Sequence, residues 1–173
     1  MTACPRIRAF FDEPTFTVSY LVWDESSRRA AIVDSVLDFE PRSGRTNSTS
    51  AQAILDTARA ENLKIDWILE THAHADHLSA APFLKRATGA KTVIGQDITA
   101  TQRVFKRIYN LTDLAEDGSQ FDLLVRDGDA LPLGQVSIEV MHTPGHTPAC
   151  VSYKVADAVF IGDTMFMPDY GTA

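Results

Sequence analysis

Thr71-His72-Ala73-His74-Ala75-Asp76-His77-Leu78 sets three histidines and an aspartate within residues 72–77, directly after an apolar run and ahead of a helical pattern. Imidazole nitrogens and a carboxylate converging at a strand end are the donors that Zn²⁺, Fe²⁺ and Mn²⁺ accept. A single histidine on an apolar face is ordinarily a core residue with its ring nitrogens hydrogen-bonded. Here the concentration changes the reading. All five histidines of the chain, His72, His74, His77, His142 and His146, fall in two clusters, each at the end of a predicted strand.

The second cluster lies in His142-Thr143-Pro144-Gly145-His146-Thr147-Pro148, where two prolines and a glycine fix a sharp turn able to position ligands. A third candidate is Phe160-Ile161-Gly162-Asp163-Thr164, an apolar strand ending in a carboxylate, with Gly162 allowing close backbone approach. Asp163 alone could equally cap a turn. Asp34 also ends a strand; it is either a turn carboxylate or a group facing the same pocket.

Outward from these clusters, residues 7–11, 15–23 and 30–34 read as an opening antiparallel meander, the second by alternation of Phe16, Val18, Tyr20 and Val22 with Thr17, Ser19, Leu21 and Trp23. Residues 35–49 lack periodicity and are expected to form a long loop. Ser50 is expected to cap a helix running to Glu61, with Asn62 as its stop. A buried strand over 65–69 then delivers the histidine cluster. A helix over 80–87 tolerates Pro82 in its first turn and ends at Gly89. Next come a strand over 91–95 and a helix over 98–109 with Val104, Phe105 and Ile108 along one side. After a polar loop over 110–120, strands are expected at 123–125, 136–141, 150–155 and 158–161. The pattern is a layered α/β arrangement, with no repeat or linker dividing residues 1–173, so a single domain is expected.

The chain has 173 residues, 45% hydrophobic and 23% charged, enough for a real core. A net charge of -7 argues against a nucleic-acid surface. No apolar run approaches the roughly 18 residues of a membrane span, and residues 1–6 lack the apolar region of an export signal, so a cytoplasmic protein is expected. Cys4 and Cys150 are too few for a disulfide framework; both read as thiols, Cys150 as a buried one.

His72, His74, Asp76 and His77 reproduce the His-x-His-x-Asp-His pattern of the metallo-β-lactamase superfamily, and the Pro-Gly-His-Thr and Gly-Asp-Thr elements at His146 and Asp163 follow in the same order. The chain resembles that superfamily from Ile7 onward, within it most closely the persulfide dioxygenases and the bacterial β-lactamase-like hydrolase proteins of sulfide detoxification. The resemblance implies an αββα sandwich with a metal at one edge of the two sheets. It implies one Fe(II) per chain held by His72, His146 and Asp163, with His74, Asp76 and His77 orienting ligands and water. In dinuclear zinc relatives such as glyoxalase II, those three bind a second metal.

The implied activity is oxidation of a glutathione-type persulfide by O₂ to sulfite and thiol, with Asp76 and His77 as catalytic candidates. The alternatives are a Zn(II) hydrolase acting on a thioester or lactone, and a truncated metal-binding domain without turnover. Relatives continue past Gly-Asp-Thr to a last histidine that serves the second metal, whereas this sequence stops at Ala173. The expectation is therefore an αββα sandwich lacking its C-terminal portion, in which a mononuclear site survives and an exposed sheet edge invites a homodimer. His142 is expected to be structural or to support the ligands, and Tyr170 to pack or to reach substrate.

Overall fold

The computed structural model describes residues 4–166. Strands β1 (Arg6–Asp12), β2 (Thr17–Trp23) and β3 (Arg29–Val33) form the expected antiparallel meander. From β3 the pairing turns parallel, through β6 (Lys64–Leu69) and β8 (Lys91–Gly95) to β9 (Leu123–Val125), so the six-stranded sheet runs β1-β2-β3-β6-β8-β9. Strands buried on both faces need continuous apolar sequence, and Ala30-Ala31-Ile32-Val33 supplies it. Ala30 and Ile32 face helices α1 (Thr49–Ala60) and α2 (Ala81–Thr88), meeting Ile54, Leu55 and Leu84. Ala31 and Val33 face a second sheet.

That sheet is antiparallel, in the order β10 (Ala130–Leu133), β11 (Val136–His142), β12 (Val151–Val155) and β13 (Ala158–Phe160). Leu133, Ile138, Val140, Tyr153 and Val155 point inward against Val22, Leu69 and Val93. Full burial of such side chains contributes about 1.5–3 kcal/mol each. Ser137, Glu139 and Met141 alternate onto the exposed face. Among the described residues the layers are thus helices, sheet and sheet. No helix of the described residues is long and apolar enough to cross a membrane.

Three stretches differ from the sequence expectation. Residues 35–49 are not a loop: β4 (Val36–Glu40) and β5 (Arg45–Asn47) form a hairpin, and β4 also pairs with β7 (Leu78–Ser79) directly after the histidine cluster. This hairpin is largely exposed, so nothing forces an apolar alternation on it. Helix α1 begins before Ser50, whose Oγ instead donates to Asp38 Oδ1 at 2.6 Å, tying the helix to β4. Strand β10 is hidden in sequence by Pro132, which an edge strand tolerates.

Helix α3 (Ile98–Ile108) forms as expected, but its apolar side does not dock: Val104, Phe105 and Ile108 are exposed. It is held by Ile98 and by buried Gln102, whose Nε2 donates to Gln120 Oε1 (2.7 Å) and whose Oε1 accepts from Gly118 N (3.0 Å). Glycine or asparagine in the left-handed conformation follows α1 and α2, at Asn62 and Gly89, as the sequence suggests.

Candidate metal centre

The chain crosses between the two sheets at one edge. Strand β6 ends at Leu69, and the next residues keep strand-like bonds: Glu70 N donates to Val93 O, and Thr71 O accepts from Val151 N, both at 2.9 Å. The backbone of the histidine cluster is thereby pinned to the first sheet on one side and the second on the other. The turn carrying His146 is closed by Thr143 N donating to Cys150 O (3.0 Å). Buried Cys150 also accepts Thr147 N at its Sγ (3.2 Å), so its thiol serves the turn. Beyond β13, Gly162–Thr164 makes one 3₁₀ turn that presents Asp163. Gly162 has φ +51°, and a Cβ there would collide with Thr71 Oγ1.

These three segments bring His72, His146 and Asp163 together. Asp163 Oδ2 lies 3.5 Å from His146 Nε2 and 3.9 Å from His72 Nε2, and one donor atom from each residue falls within a 4.8 Å set. Donors each about 2.0–2.2 Å from one cation stand about 3–4 Å apart, so this spacing suits a single ion. The protonation pattern suits it as well. Thr71 Oγ1 donates to Asp34 Oδ2 (2.8 Å), so its lone pair is free to accept from His72 Nδ1, 3.0 Å away. The His72 proton is therefore placed on Nδ1, leaving Nε2 as a bare lone pair. Among the described residues that Nε2 is buried without a hydrogen-bond partner. Burial, followed by the charge on His74, lowers the His72 pKa to about 4, so the ring is neutral, as a ligand must be. Burial raises the Asp163 carboxyl. A cation among the three would relieve the orphaned Nε2 and the desolvated carboxylate together.

A second group, His74, Asp76 and His77, lies beside the first. His77 Nδ1 is 3.0 Å from Asp76 Oδ2, and Thr17 Oγ1 donates to the same oxygen at 3.1 Å. His77 Nε2 is buried and lacks a hydrogen-bond partner among the described residues. His74 turns its Nε2 inward, 3.1 Å from both Asp34 Oδ1 and Glu70 Oε2. Burial opposes charge on His74, but the two carboxylates outweigh it and lift the pKa to about 11. Burial likewise pushes Asp34 up, yet His74 and the Thr71 hydrogen bonds hold it below the ordinary carboxylate range. Glu70 is fixed by Ser79 Oγ, donating to Oε1 at 2.6 Å, and Tyr153 OH donates to the Glu70 carbonyl (3.0 Å).

Of the sequence candidates, six therefore gather in one place: His72, His74, Asp76, His77, His146 and Asp163. Asp34 joins them as the residue that orders Thr71 and His74. His142 stands apart, its Nε2 3.1 Å from Pro148 O and 3.5 Å from Asp97 Oδ2, a brace for the Pro-Gly-His turn. Tyr170 lies outside the described residues. Sequence reading gave no role to Glu70, Thr17 or the Thr71 hydroxyl. Glu70 carries the same signal as Asp34 and Asp163, a carboxylate ending an apolar strand.

A sequence model of the metallo-beta-lactamase superfamily matches residues 12–172. The beta-lactamase hydrolase-like protein of Xylella fastidiosa (strain Temecula1) is 49% identical over 169 residues, covering 98% of this chain and 39% of that protein. The mitochondrial persulfide dioxygenase ETHE1 of Homo sapiens is 29% identical over 167 residues, covering 95% of this chain and 54% of that protein. The crystal structure of ETHE1 from Myxococcus xanthus superposes with a TM-score of 0.72 at 28% identity, over 96% of this chain and 63% of that one. The chain thus spans 39% to 54% of the length of these two curated relatives.

Proposed function

Because the chain belongs to the metallo-beta-lactamase superfamily, we propose that it carries the metal centre of an iron-dependent persulfide dioxygenase. The observation that carries this reading is the His72, His146 and Asp163 set, two imidazoles and one carboxylate drawn to within 4.8 Å. Such a set on one face of Fe(II) leaves positions open for two further reactants. We take these to be O₂ and a glutathione-type persulfide, a reading that the likeness to a persulfide dioxygenase supports. The overall change is R–S–SH + O₂ + H₂O → R–SH + SO₃²⁻ + 2 H⁺, in which the sulfane sulfur is oxidised and O₂ is reduced.

Fe(II), when bound, would supply the open positions and a redox couple through which electrons pass from the sulfane sulfur to O₂. The chain does the rest. Thr71 and Asp34 keep the His72 proton on Nδ1, so Nε2 would be the atom that holds the iron. His74 is turned away by Asp34 and Glu70, which leaves the ligand set at three. His77 Nε2, buried and unpartnered, is the atom able to receive a proton released as sulfite forms, with Asp76 holding the opposite nitrogen. Partly exposed His146 and Asp163 mark the side from which a polar thiol carrier enters.

The second reading is a hydrolase of a thioester or lactone using Zn(II), with His74, Asp76 and His77 as a second cation site. The spacing of that group favours it, as does the hydrolase-like name of the Xylella fastidiosa relative. Metal analysis of protein purified without added metal, paired with an oxygen electrode and glutathione persulfide, separates the two. About one iron per chain with O₂ uptake is expected. Zinc content with thioester hydrolysis and no O₂ uptake would sink the dioxygenase reading.

A further inference from the structure

Between the histidine loop, the first turns of α2 and the segment leading into β9 lies a cavity of about 270 Å³. Its buried end is formed by His72, His74 and His77, and its exposed end by Lys85 and Gln120. Ala73, Ala81 and Phe121 supply apolar wall between them. His146 and Asp163, the exposed half of the metal centre, do not line it. The histidine loop is thus flanked on two sides, one polar, the other largely apolar.

The unpaired Nε2 atoms of His72 and His77 belong to residues of the buried end, whereas the polar groups nearer the mouth are engaged. Glu70 Oε1 accepts from Ser79 Oγ at 2.6 Å, Thr92 Oγ1 donates to Asp122 Oδ2 at 3.0 Å, and Lys85 Nζ pairs with Asp122 Oδ1 at 2.6 Å. A water molecule is held in a buried space only where about two to four polar partners remain, whereas apolar spaces take xenon and other small apolar molecules. Along the stretch walled by Ala73, Ala81 and Phe121, which leads to the histidine end, the chemistry that fits is a small uncharged gas. We propose that this cavity is the route by which dioxygen reaches His72 and its neighbours, distinct from the cleft that admits the thiol-bound substrate. The identity of the gas rests on the dioxygenase reading above; the affinity for a small apolar atom does not.

Xenon, an apolar probe, tests the cavity directly in crystals of the iron-loaded protein under gas pressure. A xenon atom between Ala81 and Phe121 is expected. Ala81→Leu fills the space from α2 and Phe121→Trp from the opposite wall, so the two do not share one route to misfolding. Each is expected to exclude xenon and to raise KM for dioxygen severalfold, with iron content and KM for glutathione persulfide unchanged. Absence of xenon from the wild-type cavity overturns the proposal, as does an unchanged KM for dioxygen in a variant that excludes xenon. If the iron-loaded wild type consumes no dioxygen, the dioxygenase reading itself fails and the gas route falls with it. That outcome is distinguishable because it is seen before any variant is made.

Discussion

Thr71 acts on His72 through one hydroxyl, which gives its hydrogen to Asp34 and takes one from His72 Nδ1. Thr71→Val keeps the shape and removes both bonds, so the imidazole loses the partner that fixes its tautomer. Loss of such an orienting group typically costs 10–100-fold in metal affinity. Competition with a chromogenic chelator should find that loss in Thr71→Val, and Thr71→Ser should restore most of it; equal affinities in all three would show that the relay is idle. The His74 pair makes a pH prediction. Its folded pKa, about 11, stands above the unfolded value near 6.5, so the stabilisation is fully present below pH ~6.5 and disappears as pH rises through about 11. In metal-free protein the urea midpoint of wild type should exceed that of His74→Gln at pH 7 and converge with it toward pH 11. A gap that stays constant across that range would refute the ion pair. The histidines were legible in sequence because they are few and clustered. Glu70 and the Thr71 hydroxyl were not, since their roles depend on which atoms the fold brings against them.

At the scale of elements, what held in sequence is what the core dictates. The unbroken apolar run of β3 and the left-handed stops after α1 and α2 answer to burial or backbone sterics, whereas the β2 alternation does not: Ser19 is buried, and Phe16 lies outside the strand and is 79% exposed. The β4–β5 hairpin was missed because exposed strands carry no such demand, and β10 because Pro132 sits between its two buried leucines, Leu131 and Leu133. Helix α3 was found by its period but misread in its docking, because buried Gln102 anchors it in place of Val104, Phe105 and Ile108. Another feature invisible in sequence joins the sheets through contacts that include none of the candidate metal ligands. Asp24, after β2, accepts at Oδ2 from Ser27 Oγ (2.6 Å) and from Gln135 N (2.9 Å) in the β10–β11 turn. Gly134 in that turn has φ +65°, and a Cβ would run into both Ser27 Oγ and Asp24 Oδ2. Gly134→Ala should therefore destabilise by about 1–3 kcal/mol, from strain plus loss of buried hydrogen bonds. Denaturant titration measures it, and iron content per folded chain should stay at the wild-type level. A neutral Gly134→Ala would mean that the two turns part without cost.

For the molecule as a whole, the three candidate metal ligands come from both sheets: His72 follows β6 of the first, while His146 lies between β11 and β12 and Asp163 follows β13 of the second. A cation held by all three is a cross-link at the open edge of the sandwich, opposite in kind to the apolar interior made by Leu69, Val93, Val140 and Tyr153. Binding to the folded chain alone must then stabilise both sheets together. At a free metal concentration 100 times Kd, the linkage is worth about 2.7 kcal/mol, which for a chain of this size is a rise of about 5–10 °C in Tm. Removing metal with a strong chelator should lower Tm by that amount in wild type and by nothing in His72→Ala. Gly134→Ala, by contrast, should melt lower than wild type both with and without metal, by the same interval, because its defect and the metal site lie on independent contacts. A metal-dependent rise that survives in His72→Ala would place the ion elsewhere and dissolve the cross-link argument. A rise that is lost in Gly134→Ala would instead mean that the site forms only when the β10–β11 turn is seated.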